Sequence, residues 1–467
     1  MTITPAQAAA RELTAFGGRL IGPQDAAYGE ARSVYNAMID RRPALVARCA
    51  DADDVARVIG FARRHGLPLA VRGGGHHGAG LGTCDGGVVA DLSPMNTVEV
   101  DAAARTVRVG GGATWGPVDA ATHEHGLATP SGIISTTGVG GLTLGGGLGH
   151  LTRRFGLTVD NILAAEVVLA DGTRVRADAE ENTDLFWALR GGGGNFGVVT
   201  SFTFRLHELA TVVAGPTFWP AEQGAEVLAA YRDFIPSAPR DAGGFFMFAT
   251  VPPAPPFPEE LRLRKVCAVV WCHTHDDPEA AARAMAPLLD ALPEPLLHAV
   301  APMPHPALQS MFDGLYPPGD QWYWRADFVR DIPDEAVALH AKFGAEVPTA
   351  QSTMHLYPID GAVHDRAASD TAFAYRGSRW ASVFAGVDPD PANAGLIKRW
   401  TVDYFEALHP FSAGGAYVNM MMDEGQERVR AGYQGNYARL ARVKAALDPE
   451  NVFRLNQNIE PDPGPGA

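Results

Sequence analysis

Lysine and cysteine are both scarce in this chain of 467 residues. Lysine occurs only at Lys265, Lys342, Lys398 and Lys444. None of these lysines follows a glycine, which excludes the GK[ST] phosphate loop of Walker-type nucleotide-binding proteins. Cysteine occurs only at Cys49, Cys84, Cys267 and Cys272. Because the cysteines are so few, we expect free buried thiols rather than a disulfide framework.

Basic charge and long apolar runs are lacking as well. The 53 acidic residues outnumber the 38 basic ones, and the net charge of −15 disfavours nucleic acids and anionic membranes as partners. No apolar run approaches the length that spans a bilayer. The first twenty residues lack the basic-then-apolar pattern of a secretory signal. We therefore expect a cytoplasmic protein with no membrane partner.

The first half of the sequence alternates short apolar segments with one clear helix. The segments 44–50 and 67–72 are predicted strands. The helix between them has Asp51 and Asp53 as candidate N-caps and ends before Gly66, which makes a βαβ unit. Residues 164–177 form a predicted hairpin that turns at Asp171-Gly172. The other predicted elements are strands at 86–92, 97–100, 105–110 and 197–206, helices at 114–126 and 183–190, and a glycine-rich loop region at 133–161.

After about residue 210 the pattern changes to longer strands and amphipathic helices. The predicted half-buried strands are 243–251, 265–275, 321–329, 352–360 and 381–388, and the predicted helices are 278–292, 334–345 and 391–408. Strands of alternating polarity with helices between them are typical of one antiparallel sheet covered by helices. The fold class of the chain is therefore predicted to be α+β.

Three glycine clusters, at 73–75, 138–149 and 191–197, need an explanation. The last formally contains G-x-G-x-x-G, but a helix precedes it and a strand follows it, which is the reverse of the Rossmann order. A dinucleotide site of that type is therefore excluded. Glycine loops can instead place backbone N–H groups around a large ligand, or they can simply serve tight turns. Both interpretations stay open from the pattern alone.

No metal site is predicted. Cys272, His273 and His275 lie close in sequence, but on an alternating strand adjacent members point to opposite faces. His123 and His125 are two residues apart at a helix end, so they do not share a face.

Four motifs together resemble one protein family. They are RGGGHH (72–77), GVGGLTLGGGLGHLTRRFGLTVDN (138–161), LFWALRGGGGNFGVVT (185–200) and YQGNYARLARVKAALDPENVFRLNQNI (433–459). In this order they are similar to the vanillyl-alcohol-oxidase-type, or PCMH-type, FAD flavoproteins of the berberine-bridge-enzyme-like branch. The resemblance implies an FAD-binding domain at 1–207, a substrate-binding domain at 208–409 and a C-terminal segment at 410–460 that returns to the FAD domain. The residues PDPGPGA (461–467) themselves predict a disordered tail.

The resemblance also implies roles for individual residues. His76 matches the histidine that is joined to the 8α carbon of the flavin, with His77 as a second candidate. Thr137 and Leu142 would flank the reactive face of the flavin. The other implied cofactor-binding residues are Arg72, Gly73, Gly74, Gly75, Gly78, Gly132, Thr136, Gly138, Gly141, Gly145, Gly146, Gly149, Gly197, Val198, Val199, Tyr417, Asn456 and Asn458.

The sequence departs from the family pattern at two positions. Ile134 stands where doubly linked members carry a cysteine, so a second covalent link to the flavin is not expected. Met420 stands where the Y-x-N-Y motif of some members has a catalytic tyrosine, and a thioether cannot accept a proton. Tyr417, Tyr323 or a histidine of the substrate domain is expected to replace it, unless the substrate needs no strong base.

The function that the resemblance implies is that of an FAD-dependent oxidase. Such an enzyme transfers a hydride from a small natural-product substrate to the flavin and uses O₂ as acceptor. Two alternatives stay open: a flavin-N5-oxide monooxygenase of secondary metabolism, and a non-catalytic protein that binds a metabolite.

Overall fold

The computed structural model describes residues 4–462, and it places strands and helices in two halves that share one core. The strands of the first half are β1 Arg19–Ile21, β2 Leu45–Arg48, β3 Leu69–Arg72, β4 Val88–Asp91, β5 Val98–Asp101, β6 Thr106–Gly110, β7 Leu127–Ala128, β8 Ile162–Val168, β9 Arg174–Asp178, β10 Val198–Arg205 and β11 His207–Glu208. The helices of this half are α1 Pro5–Glu12, α2 Tyr28–Arg32, α3 Ala52–Arg64, α4 Trp115–His123, α5 Val139–Leu144, α6 Thr152–Phe155 and α7 Thr183–Leu189.

The first half contains two larger sheets. One has the order β1-β2-β4-β3 and the other the order β5-β6-β10-β8-β9, while β7 pairs with β11. The predicted β2-α3-β3 unit is present, but β4 lies between its two strands and is parallel to both. Because β4 comes later in the chain, sequence order alone did not reveal this insertion.

Helix α3 forms as its sequence predicts. The side chain of Asp51 accepts a hydrogen bond from the backbone N–H of Asp54 at 2.9 Å and caps the first turn. Val58 and Ile59 are fully buried against the four-stranded sheet. Gly66 follows the last turn with φ of +61°, a left-handed conformation that ends many helices.

The second half consists of one large antiparallel sheet with the order β15-β12-β14-β13-β18-β19-β17, and β16 also pairs with β12. Its strands are β12 Thr211–Pro220, β13 Ala242–Thr250, β14 Lys265–His273, β15 Leu297–His298, β16 Ala301–Pro304, β17 Gln321–Val329, β18 Thr353–Pro358 and β19 Trp380–Asp388. Its helices are α8 Gly224–Phe234, α9 Pro278–Leu289, α10 His305–Gln309, α11 Asp334–Ala345 and α12 Ala394–Leu408. The prediction of an α+β fold with one helix-covered antiparallel sheet is confirmed.

The prediction that these strands are half-buried is wrong, because both faces of the sheet are covered. On β13, Phe246 and Phe248 pack into a core with the helices, whereas Phe245 and Met247 pack into a core shared with the first half. All nine residues of β19 are buried. One face therefore meets helices, and the other faces the first half of the chain.

The C-terminal segment returns to the first half through helices α13 Gln426–Tyr433 and α14 Tyr437–Leu447. The N–H of Asp462 donates to the carbonyl of Ala441, and residues 463–467 of the predicted tail lie outside the described residues. The region 133–161, predicted as loop, contains the short helices α5 and α6. Tertiary contacts order this region, which is buried over much of its length.

Other sequence predictions concern thiols and metal ligands. All four cysteines are free and buried, as predicted. Within residues 4–462, no group of three or more His, Cys, Asp and Glu side chains is arranged to hold a metal ion. The same part of the chain contains no helix that is long and apolar enough to cross a membrane.

Candidate active site

A cavity of about 290 Å³ lies where the two halves meet. Loops of the first half that contain the predicted glycine clusters form one side. Strands β17 and β18 and the segment that precedes α13 contribute further lining residues. The lining residues that the sequence predicted are Arg72, Gly73, Gly74, Gly75, His76, His77, Gly132, Thr137, Gly138, Gly141, Leu142, Gly197, Val198, Val199, Tyr417 and Asn456.

His76 is held in place at the end of β3. Arg72, the last residue of that strand, forms a buried ion pair with Asp91 at 2.7 Å, which fixes the start of the glycine loop. The His76 ring stacks on Tyr35 with the centroids 3.9 Å apart, and its Nε2 lies 3.1 Å from the hydroxyl of Thr136. Burial lowers the pKa of His76 to about 4. The imidazole is therefore neutral at pH 7, and its Nδ1 is left to meet a ligand.

His77 also lines the cavity but is tied to its own loop. Its Nδ1 accepts a hydrogen bond from the backbone N–H of Ala79 at 3.2 Å. Burial lowers the pKa of His77 to about 4 as well. The two neighbouring histidines are thus both neutral, and they differ in which ring nitrogen the protein engages.

The side-chain amide of Asn419 forms hydrogen bonds with both Tyr417 and Leu142. Asn419 Nδ2 donates to the carbonyl of Leu142 and to the hydroxyl of Tyr417, both at 2.9 Å. The N–H of Gly147 donates to the same hydroxyl at 3.0 Å. Burial raises the pKa of Tyr417 to about 12, so the phenol is protonated at pH 7. Two N–H groups use its oxygen as acceptor, which leaves its own proton for a molecule in the cavity.

The substrate-domain wall is aromatic. Trp322 and Trp324 of β17 line the cavity, and Tyr357 of β18 lies beside them. Tyr323, expected in the cleft, instead points to the opposite face of β17, where its ring lies 5.3 Å from Lys398 Nζ of α12. Side chains alternate along a strand, so the two tryptophans and the tyrosine between them must face opposite sides. The expectation for Tyr323 is therefore corrected.

Six further predicted residues lie near the cavity but outside its lining: Gly78, Thr136, Gly145, Gly146, Gly149 and Asn458. The glycines allow close packing behind the wall. A Cβ on Gly78 would lie 2.4 Å from the Trp324 ring, and one on Gly145 would lie 2.1 Å from Asn419 Oδ1. Gly78 and Gly145 therefore pack closely against the lining residues Trp324 and Asn419.

The sequence did not predict several of the lining residues. They are Tyr35, Leu81, Gly193, Gly194, Trp322, Trp324, Tyr357, Tyr433, Leu455 and Gln457, among others. The alternation in QWYWR indicated that Trp322 and Trp324 share a face, but it did not indicate which face meets the cavity. For Tyr35 the local sequence contains no signal, because it meets His76 only through the fold.

The wall contains Ile134 at the position of the family cysteine, and the described lining holds no cysteine at all. Cys84, the cysteine nearest to the glycine loop in sequence, is buried, and its Sγ lies 3.7 Å from the carbonyl of Val88. Burial raises the pKa of this thiol to about 11, so it is protonated and unreactive at pH 7.

Two family models match the chain. One, described as an FAD binding domain, covers residues 43–178, and the other, described as berberine and berberine like, covers residues 416–460. These ranges contain His76 and Tyr417, which come from opposite ends of the chain and line the same cavity.

The cavity fits a flavin dinucleotide. A Cβ added to Gly141 or Gly194 would meet no atom within 4 Å, so the backbone at these positions is open to a ligand. The buried Oδ1 atoms of Asn456 and Asn458 have no hydrogen-bond partner in the protein. Unpartnered buried acceptors beside an open cavity suit a large ligand with N–H and O–H groups, such as FAD.

Known proteins resemble the chain over nearly its whole length. An FAD-linked oxidoreductase of Dictyostelium discoideum is 30% identical over 436 residues, 91% of each chain. The structure of 6-hydroxy-D-nicotine oxidase from Arthrobacter nicotinovorans is 27% identical and covers 96% of this chain and 98% of its own, with a TM-score of 0.83. Glucooligosaccharide oxidase from Acremonium strictum, with a 6-S-cysteinyl, 8α-N1-histidyl FAD, is 22% identical and covers 97% of this chain and 99% of its own, with a TM-score of 0.85. The chain therefore belongs to the berberine-bridge-enzyme-like branch of the PCMH-type FAD flavoproteins and is an FAD-linked oxidoreductase.

Proposed function

We propose that the protein is an oxidase that takes a hydride from a small organic substrate, a natural-product intermediate, and passes the electrons to O₂. One observation carries this proposal: the glycine loops with His76 and the aromatic side chains of Trp322, Trp324 and Tyr357 line the same cavity. The glycine loops suit a flat cofactor, and the aromatic side chains suit an apolar organic substrate. When bound, FAD supplies the hydride acceptor.

We also propose that His76 holds the flavin by a covalent bond from Nδ1 to the 8α carbon. Three features support this assignment: the imidazole is neutral, Nε2 already faces Thr136, and stacking on Tyr35 fixes the ring plane. Forming the bond would break one C–H bond of the 8α methyl group and the N–H bond of the imidazole, and the two protons and two electrons released would convert O₂ to hydrogen peroxide. Because Ile134 replaces the cysteine of doubly linked relatives, this link is the only one proposed.

The remaining lining residues orient the reactants and exclude water. Trp322 and Trp324 cover the substrate side and keep it apolar. Tyr417, protonated and oriented by Asn419 and Gly147, donates a hydrogen bond toward the substrate. In an enclosed apolar site such a fixed donor is stronger than it would be in water.

The use of O₂ can be tested without a known substrate. The flavin is reduced with light and EDTA under anaerobic conditions and then mixed with air-saturated buffer. We expect its absorbance to return within seconds, with hydrogen peroxide formed in an amount equal to the flavin. Reoxidation over many minutes, or without peroxide, would contradict an oxidase.

Gly74 offers a test of the flavin site. Its backbone packs against that of Gly138, and a Cβ on Gly74 would lie 2.5 Å from Gly138 N and 2.6 Å from Gly138 Cα. Neither backbone atom can move away alone, so Gly74→Ala should force the two loops apart at a cost of about 1–3 kcal/mol. We expect purified Gly74→Ala to contain roughly a tenth or less of the wild-type flavin, measured by visible absorbance per chain. Gly377→Ala is the control, since a Cβ there meets no atom within 4 Å.

A further inference from the structure

The cavity lacks the groups that usually accept a proton in an oxidase. Among the described residues that line it, there is no aspartate, glutamate or lysine. Met420 lines the cavity but has no basic atom. His76 and His77 belong to the cofactor side, and Tyr417 already accepts two N–H donors. A proton acceptor on the substrate side must therefore come from another residue.

The remaining tyrosines of the lining differ in their partners. The hydroxyl of Tyr35 donates to the carbonyl of Tyr316, and that of Tyr433 donates to the carbonyl of Gly192 at 3.3 Å. A carbonyl cannot take over a proton. Tyr357 alone in this group is paired with a titratable side chain, since its Oη lies 2.6 Å from Nδ1 of His355.

The pair is rigid and enclosed. Tyr357 and His355 are two residues apart on β18, which places both side chains on the same face of the sheet. The Phe245 ring lies 4.9 Å from each of the two rings. Both residues are only 6% exposed, and this exposure is on the cavity side for Tyr357. Tyr357 thus connects the cavity to His355, which lies behind it.

We propose that Tyr357 and His355 together accept the proton of a hydroxyl group on the substrate, the role for which Met420 has no suitable atom. The proposal rests on the proposed function, because an oxidised alcohol must lose both a hydride and a proton. The O–H bond of the substrate breaks and a new O–H bond forms at Tyr357 Oη. The former Tyr357 proton moves to His355 Nδ1, while the electron pair of the substrate C–H bond goes to FAD as hydride.

The chemistry suits a weak base. Burial lowers the pKa of His355 to about 3 and raises that of Tyr357, so both side chains are neutral before reaction. As the hydride leaves the carbinol carbon, the substrate becomes a protonated carbonyl, which is strongly acidic. A base of low pKa can accept the proton of this protonated carbonyl. The same base is too weak to deprotonate the alcohol before the hydride leaves.

The lining also restricts the substrate class. Arg72 is the only formally charged side chain that lines the cavity in the described chain, and Asp91 neutralises it. An unpaired charge on the substrate would be desolvated without a partner, which is costly. Together with the walls of Trp322, Trp324 and Tyr357, this points to an uncharged aromatic alcohol rather than a carboxylate, a phosphate ester or a cationic amine.

The test compares benzyl alcohol with benzyl methyl ether, in which a methyl group replaces the hydroxyl hydrogen and the O–H donor is lost. Binding to the flavin-containing protein is measured by calorimetry. We expect the wild type to bind the alcohol at least tenfold more tightly, about 1.4 kcal/mol. Tyr357→Phe should reduce the preference to threefold or less. His355→Leu should do the same, because Tyr357 then donates its free proton to either oxygen. His355→Asn should restore the preference, because an amide oxygen can accept from Tyr357.

Tyr404→Phe is the matched control. Tyr404 and His340 form a second buried pair, 2.9 Å apart, on the helix side of the sheet. This variant should keep the tenfold preference. The inference would be overturned if the wild type bound the alcohol and the ether equally or did not bind the alcohol. A preference for the alcohol that persists in Tyr357→Phe and His355→Leu would also overturn it. The flavin content of each sample is measured separately: a wild type without flavin would refute the proposed function, whereas a flavin-containing wild type without a preference for the alcohol would refute this inference alone.

Discussion

His76→Ala is expected to abolish covalent attachment of the flavin. Without that imidazole the loop retains only His77, whose Nδ1 is engaged by the N–H of Ala79, while Cys84 is buried and protonated and the described lining holds no cysteine. After acid precipitation the wild-type pellet should be yellow, and the His76→Ala pellet should be colourless with the flavin in the supernatant. Mass spectrometry of the intact denatured chain should show the mass of FAD on the wild type alone.

The neighbouring histidine gives the matched control. His77→Asn keeps a side-chain acceptor close to the N–H of Ala79, which His77 Nδ1 binds in the wild type. This variant should retain covalent flavin at the wild-type level. Flavin that stays attached in His76→Ala, or is lost in His77→Asn instead, would show that the wrong histidine has been assigned.

Lys444→Met is expected to produce the largest loss of stability. Lys444 is fully buried, and its Nζ donates to Asp448 at 2.6 Å and to the carbonyls of Asn195 and Phe453 at 2.7 and 3.0 Å. Removing the ammonium leaves the buried carboxylate of Asp448 without its counterion and the carbonyl of Asn195 without its donor, while the Phe453 carbonyl keeps only Asn456 Nδ2. Breaking a buried ion pair in this way typically costs about 3–5 kcal/mol. Denaturant unfolding at equilibrium measures the loss.

An exposed lysine provides the comparison. Lys398 is exposed on α12 and contacts the Tyr323 ring, so Lys398→Met should change the free energy of unfolding by no more than about 1 kcal/mol. A loss below about 1 kcal/mol for Lys444→Met would show that the pair contributes little. The structure gives a further consequence: Lys444 ties the C-terminal segment to the glycine loop at Asn195, next to Gly194 and Asn456 of the cavity. Lys444→Met should therefore also bind flavin less tightly.

Local sequence patterns predicted individual elements well. The apolar spacing and the Asp51 cap predicted α3, and the Asp171-Gly172 turn predicted the hairpin of β8 and β9. The long strands of the second half were found as apolar segments between predicted helices. Region 133–161 was the main miss, since its glycines favour loops and only contacts with the rest of the chain order α5 and α6.

The sequence predicted the residues of the site only where they belong to a motif of the family. His76, the glycine loops and Tyr417 were found through the resemblance, whereas Trp322, Trp324, Tyr357 and Tyr35 were not. The alternation along β17 indicated two faces, but both faces are buried, so polarity did not show which one meets the cavity. For that reason Tyr323 was placed in the cleft and its two neighbours were not.

The sequence by itself determined the fold class, the absence of a Rossmann order at 191–197 and the histidine that faces the proposed flavin site, because each depends on residues close together in the chain. The tertiary structure decided which side chains share the cavity. His76 meets Tyr35 and Thr136, and Tyr357 meets the cavity beside Tyr417, only because distant segments pack together. Such contacts arise from the burial of apolar faces over the whole molecule, and no local spacing specifies them.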